Sequence, residues 1–428
     1  MIQQTALPFK LEKTDDTITP HSGLALFGEF TVATRILEAI DRYLPTPGSK
    51  VGYMPSEYIY PLLLMLNGGG RSLEDLREIK QDEGLRQILP LEKIPSSDAV
   101  GDWLRRMGSG NGLEGLEKAN KRLLKNAMKK DGIKEYTLDI DATGIEAEKE
   151  EAMMTYKGFK GYMPIVGHIA ENGLVIGDEF REGNVSPLTR NLEFIKHCIS
   201  QMPENKRIKY LRADSAAYQF SIINFCEDND IKYAIGADLD KAVVALIECI
   251  SEQDWRPYKN GSYIAETVHS MNKTEKAFRL IIIKRPYQMN LFDKEEEPKV
   301  KYVVIVTNME WKAEEVLGWY NKRGEHSENR IKDLKIGFGM ERMPCGQFEA
   351  NAMFFRIGVT AYNLFRLFIL KAFDPSWHKH QVQTIRWKLY QIAGKIVFHS
   401  NQTFLKVNRH FHKLFDEIRL RIWEFANT

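Results

Sequence analysis

Tyr136-Thr137-Leu138-Asp139-Ile140-Asp141-Ala142-Thr143-Gly144 alternates polar and apolar residues and closes on a Thr-Gly turn, the pattern of a strand with two unlike faces. Period two predicts Leu138 and Ile140 on one face, with Asp139 and Asp141 on the other. Asp141 is the last acid before the turn, and the C-terminal edge of a strand is where an α/β sheet exposes reactive groups. Asp139 is expected as a support residue or a structural carboxylate.

Downstream, residues 208–214 (Ile-Lys-Tyr-Leu-Arg-Ala-Asp) read as a second strand running into a polar turn, with a helix from Gln219 to about Glu227. Asp214 at that junction is either a helix N-cap or a second acid displayed at a strand end. Lys232–Asp238 reads as the next strand and completes a β-α-β crossover, which assigns both acids to one sheet. Between them, Met163–Ala170 and Leu174–Phe180 predict an antiparallel pair across Glu171-Asn172-Gly173, and Asn191–Gln201 predicts a helix. Arg181 follows the third strand, where it can touch a phosphate, brace the acids or form an ordinary salt bridge.

The third acid lies in a stretch that reads as helical from Trp319 to the paired glycines Gly337 and Gly339. At helical spacing Glu328 and Lys335 fall on one face, while Ile331 and Leu334 anchor the helix. The alternative is a solvated helix with ordinary charge pairs. Asp141, Asp214 and Glu328 together are what two-metal phosphoryl transfer needs, because Mg²⁺ prefers hard oxygen ligands and keeps water in its open positions. Tyr320, Arg323 and Lys335 are then expected to hold phosphates.

The set Asp141-Ala-Thr, Arg181-Glu-Gly-Asn184, Arg212-Ala-Asp214-Ser and Tyr320…Arg323…Glu328-Asn-Arg-Ile-Lys-Asp-Leu-Lys335 resembles the DDE transposases of bacterial insertion sequences. More narrowly it resembles the subgroup with a Tyr-Arg-Glu-Lys signature and a β-rich insertion before the last acid, the thirteen-eighty family of the IS-four-like superfamily. In that signature the Glu follows the Arg by four positions; here that position is Ser327 and Glu328 comes one later. Glu325, one turn earlier, is the rival third ligand.

The resemblance implies an α/β (α+β mixed-sheet) fold with a ribonuclease-H-like core, in agreement with the order three strands, helix, strand, helix, strand. It implies Mg²⁺, with Mn²⁺ substituting, and double-stranded DNA partners, both terminal inverted repeats and target. It also implies a homodimer in a synaptic complex. The activity implied is cut-and-paste transposition by nicking, hairpin formation, hairpin opening and strand transfer. Two other classes share the fold: a nuclease that does not rejoin ends, and a catalytically inactive DNA-binding protein.

The chain has 428 residues, 43% hydrophobic and 28% charged, with net charge +2, so several modules with ample core are expected. They divide as a helical end-DNA-binding region (1–130), the first part of the core (131–238), a β-rich insertion (239–309), the rest of the core with the third acid (310–348) and a basic helical region (349–428). Within the first, a helix from Ser72 to about Leu89 and another over Asp98–Met107 form either a helix-turn-helix reader or a scaffold packed on the core. Residues 113–130 are a basic helix, which tracks a DNA backbone or is simply solvated. From Arg356 to Arg421 there are twelve Lys and Arg against three Asp and Glu, an excess suited to phosphate.

The aromatics Trp255, Tyr258, Tyr263 and Trp311 are core or base-stacking residues, and the run Lys294-Glu-Glu-Glu297 is expected to be exposed and mobile. Cys198, Cys226, Cys249 and Cys345 show no metal-ligand spacing and are expected to be reduced thiols. Apolar stretches such as Tyr60–Leu66 are too short to cross a bilayer. The expected location is the bacterial cytoplasm, with the nucleoid and no membrane.

Overall fold

The computed structural model describes residues 9–49, 51–129, 131–286, 300–324 and 329–427. The fold is a mixed α/β architecture around one large sheet, whose strands are β1 (Glu135–Ala142), β2 (Ile165–Ile169), β3 (Val175–Glu179), β4 (Arg207–Ala213), β5 (Lys232–Gly236), β6 (Arg256–Pro257), β7 (Tyr263–His269), β8 (Phe278–Arg285) and β9 (Lys301–Thr307). Their order across the sheet is β6-β7-β8-β9-β5-β4-β1-β2-β3. β4 is parallel to both β1 and β5; the other neighbours run antiparallel.

β1 sits deep in this sheet, and Tyr136, Leu138, Asp139 and Ile140 are all buried. Its polar face is therefore covered as well. A bulge between Tyr136 and Thr137 shifts the β1/β4 register, and the Glu171 carboxylate accepts from the Thr137 N–H at 3.0 and 3.1 Å. That contact satisfies a donor the bulge would otherwise strand.

The helices are α1 (Ser22–Ala33), α2 (Ile36–Tyr43), α3 (Pro55–Gly68), α4 (Ser97–Gly108), α5 (Gly112–Met128), α6 (Asn191–Ser200), α7 (Phe220–Asp228), α8 (Lys241–Glu248), α9 (Ala313–Arg323), α10 (Asn329–Lys332), α11 (Phe348–Ala372) and α12 (Arg409–Ala426). The Ser72–Leu89 segment is not one amphipathic helix: it breaks into a 3-10 turn and two short helices, Leu76–Gln81 and Glu83–Ile88. Asp82 causes the break. Its carboxylate caps the second helix at Leu85 N (2.9 Å) and accepts from the Thr19 hydroxyl (2.6 Å), drawing the chain out of helical geometry.

α11 organises the core. By length and composition it could cross a membrane, but 83% of its most apolar window is buried inside the fold. It also closes a sheet edge. β3 is terminal, and the Asn363 side chain accepts from Val175 N and donates to Val175 O, both at 2.8 Å. Arg356 donates to Asp178 O at 3.0 Å. Together these side chains satisfy the backbone groups that an open edge leaves unpaired. The far edge, β6, is two residues long and contains Pro257, a poor template for further pairing.

The β-rich segment expected as its own module shares the large sheet, because β9 pairs with β5. It has a specific consequence for α9. Ala313, Val316 and Leu317 bury against Ala234, Ile264, Ile281, Ile283 and Ile305, so these strands form the floor that seats α9. The Lys294–Glu297 run lies outside the described residues.

Arg386 links distant parts of the chain. It donates to Leu66 O (2.6 Å) and Asn67 O (2.7 Å) near the end of α3, and to Gly337 O (2.7 Å). Burial lowers its pKa to about 10. Asp333 lies nearby at the start of a π-type turn, Asp333–Gly337, closed by Phe338 N on Asp333 O at 2.9 Å. The wide turn departs from α-helical spacing across Lys335.

Two outcomes are expected. Replacing Arg386 with Met strands three buried carbonyls and lowers unfolding stability by about 3 kcal/mol or more in a urea titration; a loss below about 1 kcal/mol would show that they find other partners. For Asp333, burial raises the carboxyl pKa to about 6. The folded state therefore favours the protonated form, and that contribution is complete below the ordinary value and lost as pH rises through about 6. Asp333→Asn should thus be more stable than the parent above that window, by on the order of 3 kcal/mol relative to their difference in acid. Parallel stability curves across that pH range would contradict the assignment.

Candidate functional site

The site begins with a buried ion pair. Arg212 on β4 meets Asp139 on β1 in a bidentate contact, Nε to Oδ1 and Nη2 to Oδ2, both at 2.7 Å. The Asp139 side chain is 0% exposed and that of Arg212 is 2% exposed. These are also the last residues in register between the two parallel strands. Two positions further on come Asp141 and Asp214, so the register delivers both acids to the same end of neighbouring strands, which lie about 4.8 Å apart.

α9 crosses these strand ends. Its Arg323 donates from Nη2 to Ile140 O (3.1 Å) and stands 3.5 Å from the Asp141 carboxylate. One turn earlier, the Tyr320 hydroxyl donates to Ala213 O at 3.3 Å, beside Asp214. Arg212 completes the attachment: Nη1 donates to Trp319 O at 2.6 Å, and the guanidinium lies 4.9 Å from the Trp319 ring centroid. Lys335 donates to Gly144 O (2.7 Å), just past the turn after β1. Tyr320, Arg323 and Lys335 therefore converge on the backbone around the two acids.

The electrostatics agree with the geometry. Burial alone would lower the Arg323 pKa, but Asp141, followed by Tyr320, Asp214 and Asp139, outweighs it and holds the guanidinium above its ordinary value. Burial raises the Tyr320 phenol; Arg323 opposes this, and Asp214 and Asp141 add to it. Burial lowers the Lys335 ammonium, against Glu341 and reinforced by Lys157. Both acids thus act on the same two side chains of α9.

Asp214 satisfies both sequence readings at once. Its Oδ1 caps the turn Ser215–Ala217 through Ala216 N at 3.1 Å, while the residue stays half-exposed at the strand end. Arg181 lies deeper. Its side chain is 2% exposed and is held by Glu179 (3.2 Å) and Asn191 (3.5 Å), and Asn191 donates in turn to Ala216 O (3.0 Å). It braces the loop behind Asp214 at one remove and presents no face to solvent.

Glu325 and Glu328, the rival third acids, lie outside the described residues. Among the described residues no group of three or more His, Cys, Asp or Glu side chains is arranged to hold a metal ion.

Of the aromatics, Trp255 is buried beneath Lys284 (5.3 Å) and is a core residue. Tyr263 and Trp311 are exposed. Sequence reasoning assigned no task to Arg212, Trp319 or Asn191. Two signals pointed to Arg212: it opens one of the motifs that carry the resemblance, and it stands two residues before Asp214 as Asp139 stands two before Asp141.

Asp139→Ala or Arg212→Ala leaves one buried charge without its partner and should cost about 3–5 kcal/mol in chemical denaturation. The double replacement should cost less than the sum of the singles. Additive losses would show that the pair does not couple β1 to β4.

A search of curated proteins finds no match to the chain. The family model described as transposase DDE domain group 1 matches residues 4–422, which takes in both acid-bearing strands, α9 and the β-rich segment. The chain belongs to the DDE transposase family.

Proposed function

We propose that this chain is a cut-and-paste transposase that cleaves phosphodiester bonds at transposon ends and joins the freed ends to target DNA. The observation that carries the reading is the delivery of Asp141 and Asp214 to one end of adjacent strands, with Arg323 reaching across to Ile140 O and the Asp141 carboxylate. The strand order β3-β2-β1-β4-β5 supports a ribonuclease-H-like core, and β6–β9 fit the β-rich insertion of the Tyr-Arg-Glu-Lys subgroup. The thirteen-eighty family of the IS-four-like superfamily is the narrower assignment.

The donor chemistry fits Mg²⁺ or Mn²⁺. Two carboxylates stand together at the strand ends, and Asp214 holds Ala216 N through one oxygen only. Asp141, Asp214 and Glu328 would hold the metal, which when bound supplies Lewis-acid stabilisation of the attacking and leaving oxygens. The rest follows from the chain itself. Arg323 and Tyr320 fix the two strand ends, and the Arg323 charge beside Asp141 would act on the scissile phosphate. Lys335, on the Gly144 carbonyl, sets the loop after β1 and would meet a flanking phosphate.

In each step an oxygen nucleophile, water or a 3′ hydroxyl, attacks phosphorus in line and the opposite oxygen leaves. Nicking, hairpin formation, hairpin opening and strand transfer repeat that one exchange. We further assign a DNA-bridged homodimer, end recognition by residues 1–130, and the bacterial cytoplasm at the nucleoid.

Single replacement by Ala of Asp141, Asp214, Glu325 and Glu328, assayed by Mg²⁺-dependent cleavage of a duplex carrying the terminal repeats, tests this reading. Loss of about a thousandfold or more is expected at Asp141, Asp214 and Glu328, with activity retained at Glu325. Full activity of Asp214→Ala would overturn the mechanism, whereas loss at Glu325 alone would move only the third ligand. Cleavage without joining to a target duplex would favour a nuclease.

A further inference from the structure

The two basic stretches of the sequence, 113–130 and 356–421, meet in three dimensions, away from the acids. A groove of about 440 Å³ lies between the ends of α1, α5, α11 and α12, and five cations line it: Arg35, Arg122, Lys129, Lys371 and Arg421. One carboxylate, Glu424, joins them. Among the described residues none of the five cations takes part in an ion pair, although α5 pairs Lys118 with Glu114 just outside the groove.

Helix polarity accounts for part of this cluster. α1, α5, α11 and α12 all end here, each end carrying about half a negative charge, while the start of α2 returns about half a positive one. With Glu424 they offset about half of the five positive charges, and a surplus remains. Arg35 adds an independent mark. It joins α1 to α2 with φ 56°, a left-handed backbone that a non-glycine residue rarely adopts, and this conformation turns the chain so that an exposed Arg lines the groove.

The groove is remote from the candidate catalytic end. Asp131, two residues past Lys129, is hydrogen-bonded to the Tyr136 hydroxyl at the start of β1 (2.5 Å), and Asp141 stands near the other end of that eight-residue strand. At ~3.3 Å per residue the strand alone spans roughly 25 Å.

We propose that this groove binds the sugar–phosphate backbone of duplex DNA, as an anchoring site separate from the catalytic acids. The proposal rests on the transposase reading. Mixed Arg and Lys side chains at helix ends fit phosphate contacts that fix position and carry no sequence preference.

Fluorescence anisotropy of the full chain on a labelled duplex of unrelated sequence, titrated across a range of salt concentrations, tests it. The variants are Arg122→Ala/Lys129→Ala and Lys371→Ala/Arg421→Ala, with Arg122→Lys/Arg421→Lys as the charge-conserving control. Each Ala pair should weaken binding roughly tenfold near physiological salt and reduce the salt slope by about two, since each phosphate contact contributes about 0.9. Unchanged circular dichroism and melting temperature, with near-parental binding by the Lys control, complete the expected result. If the parent binds duplex with a steep salt dependence and both Ala pairs match it, the groove is overturned and the transposase reading stands. If the parent binds no duplex at any salt concentration, the DNA reading fails and takes the groove with it.

Discussion

The bidentate contact between Asp139 and Arg212 holds the rest of the site in place. Two charges taken out of water are costly unless their geometry is close to ideal and every remaining donor is satisfied. Here both carboxylate oxygens are used, and the third guanidinium nitrogen reaches Trp319 O. A one-residue slip between β1 and β4 would bury both charges unpaired. The pair therefore fixes the register, and the register sets Asp141 beside Asp214.

The same pair attaches α9 to the sheet. Because Trp319 precedes Tyr320, anchoring its carbonyl and ring on Arg212 points the next side chains at the strand ends, where Tyr320 and Arg323 find Ala213 O and Ile140 O. From below, Ala313, Val316 and Leu317 sit on isoleucines of β7, β8 and β9. The β-rich segment thus helps to position the site without contributing an acid. α9 is held from the strand ends and from the sheet face together.

Much of this was legible in the sequence for a physical reason. Alternation in 136–144 and the repeated strand-then-polar-turn pattern at Asp141 and Asp214 are local signals, and local signals survive without tertiary context. The hairpin at Glu171-Asn172-Gly173 was equally plain, since Gly173 takes φ 80° where a side chain is disfavoured. The reading that assumed one regular period across 72–89 did not hold. Asp82 divides the predicted 72–89 helix because it caps one helix and binds Thr19, far away in the chain. The π turn at Asp333–Gly337 shifts the phase around Lys335, with Gly337 O taken by Arg386.

The sequence by itself determined the residue types of the site, the strands that carry Asp141 and Asp214, and the basic character of 113–130 and 356–421. Tertiary structure alone decided which residues hold the acids in place: Arg212 on Asp139, Arg181 through Asn191 to Ala216, and the isoleucine floor under α9. It also decided that the two basic stretches share one groove. Periodicity fixes which face a residue occupies, whereas pairing between residues many positions apart depends on strand register and helix packing, which no local pattern encodes.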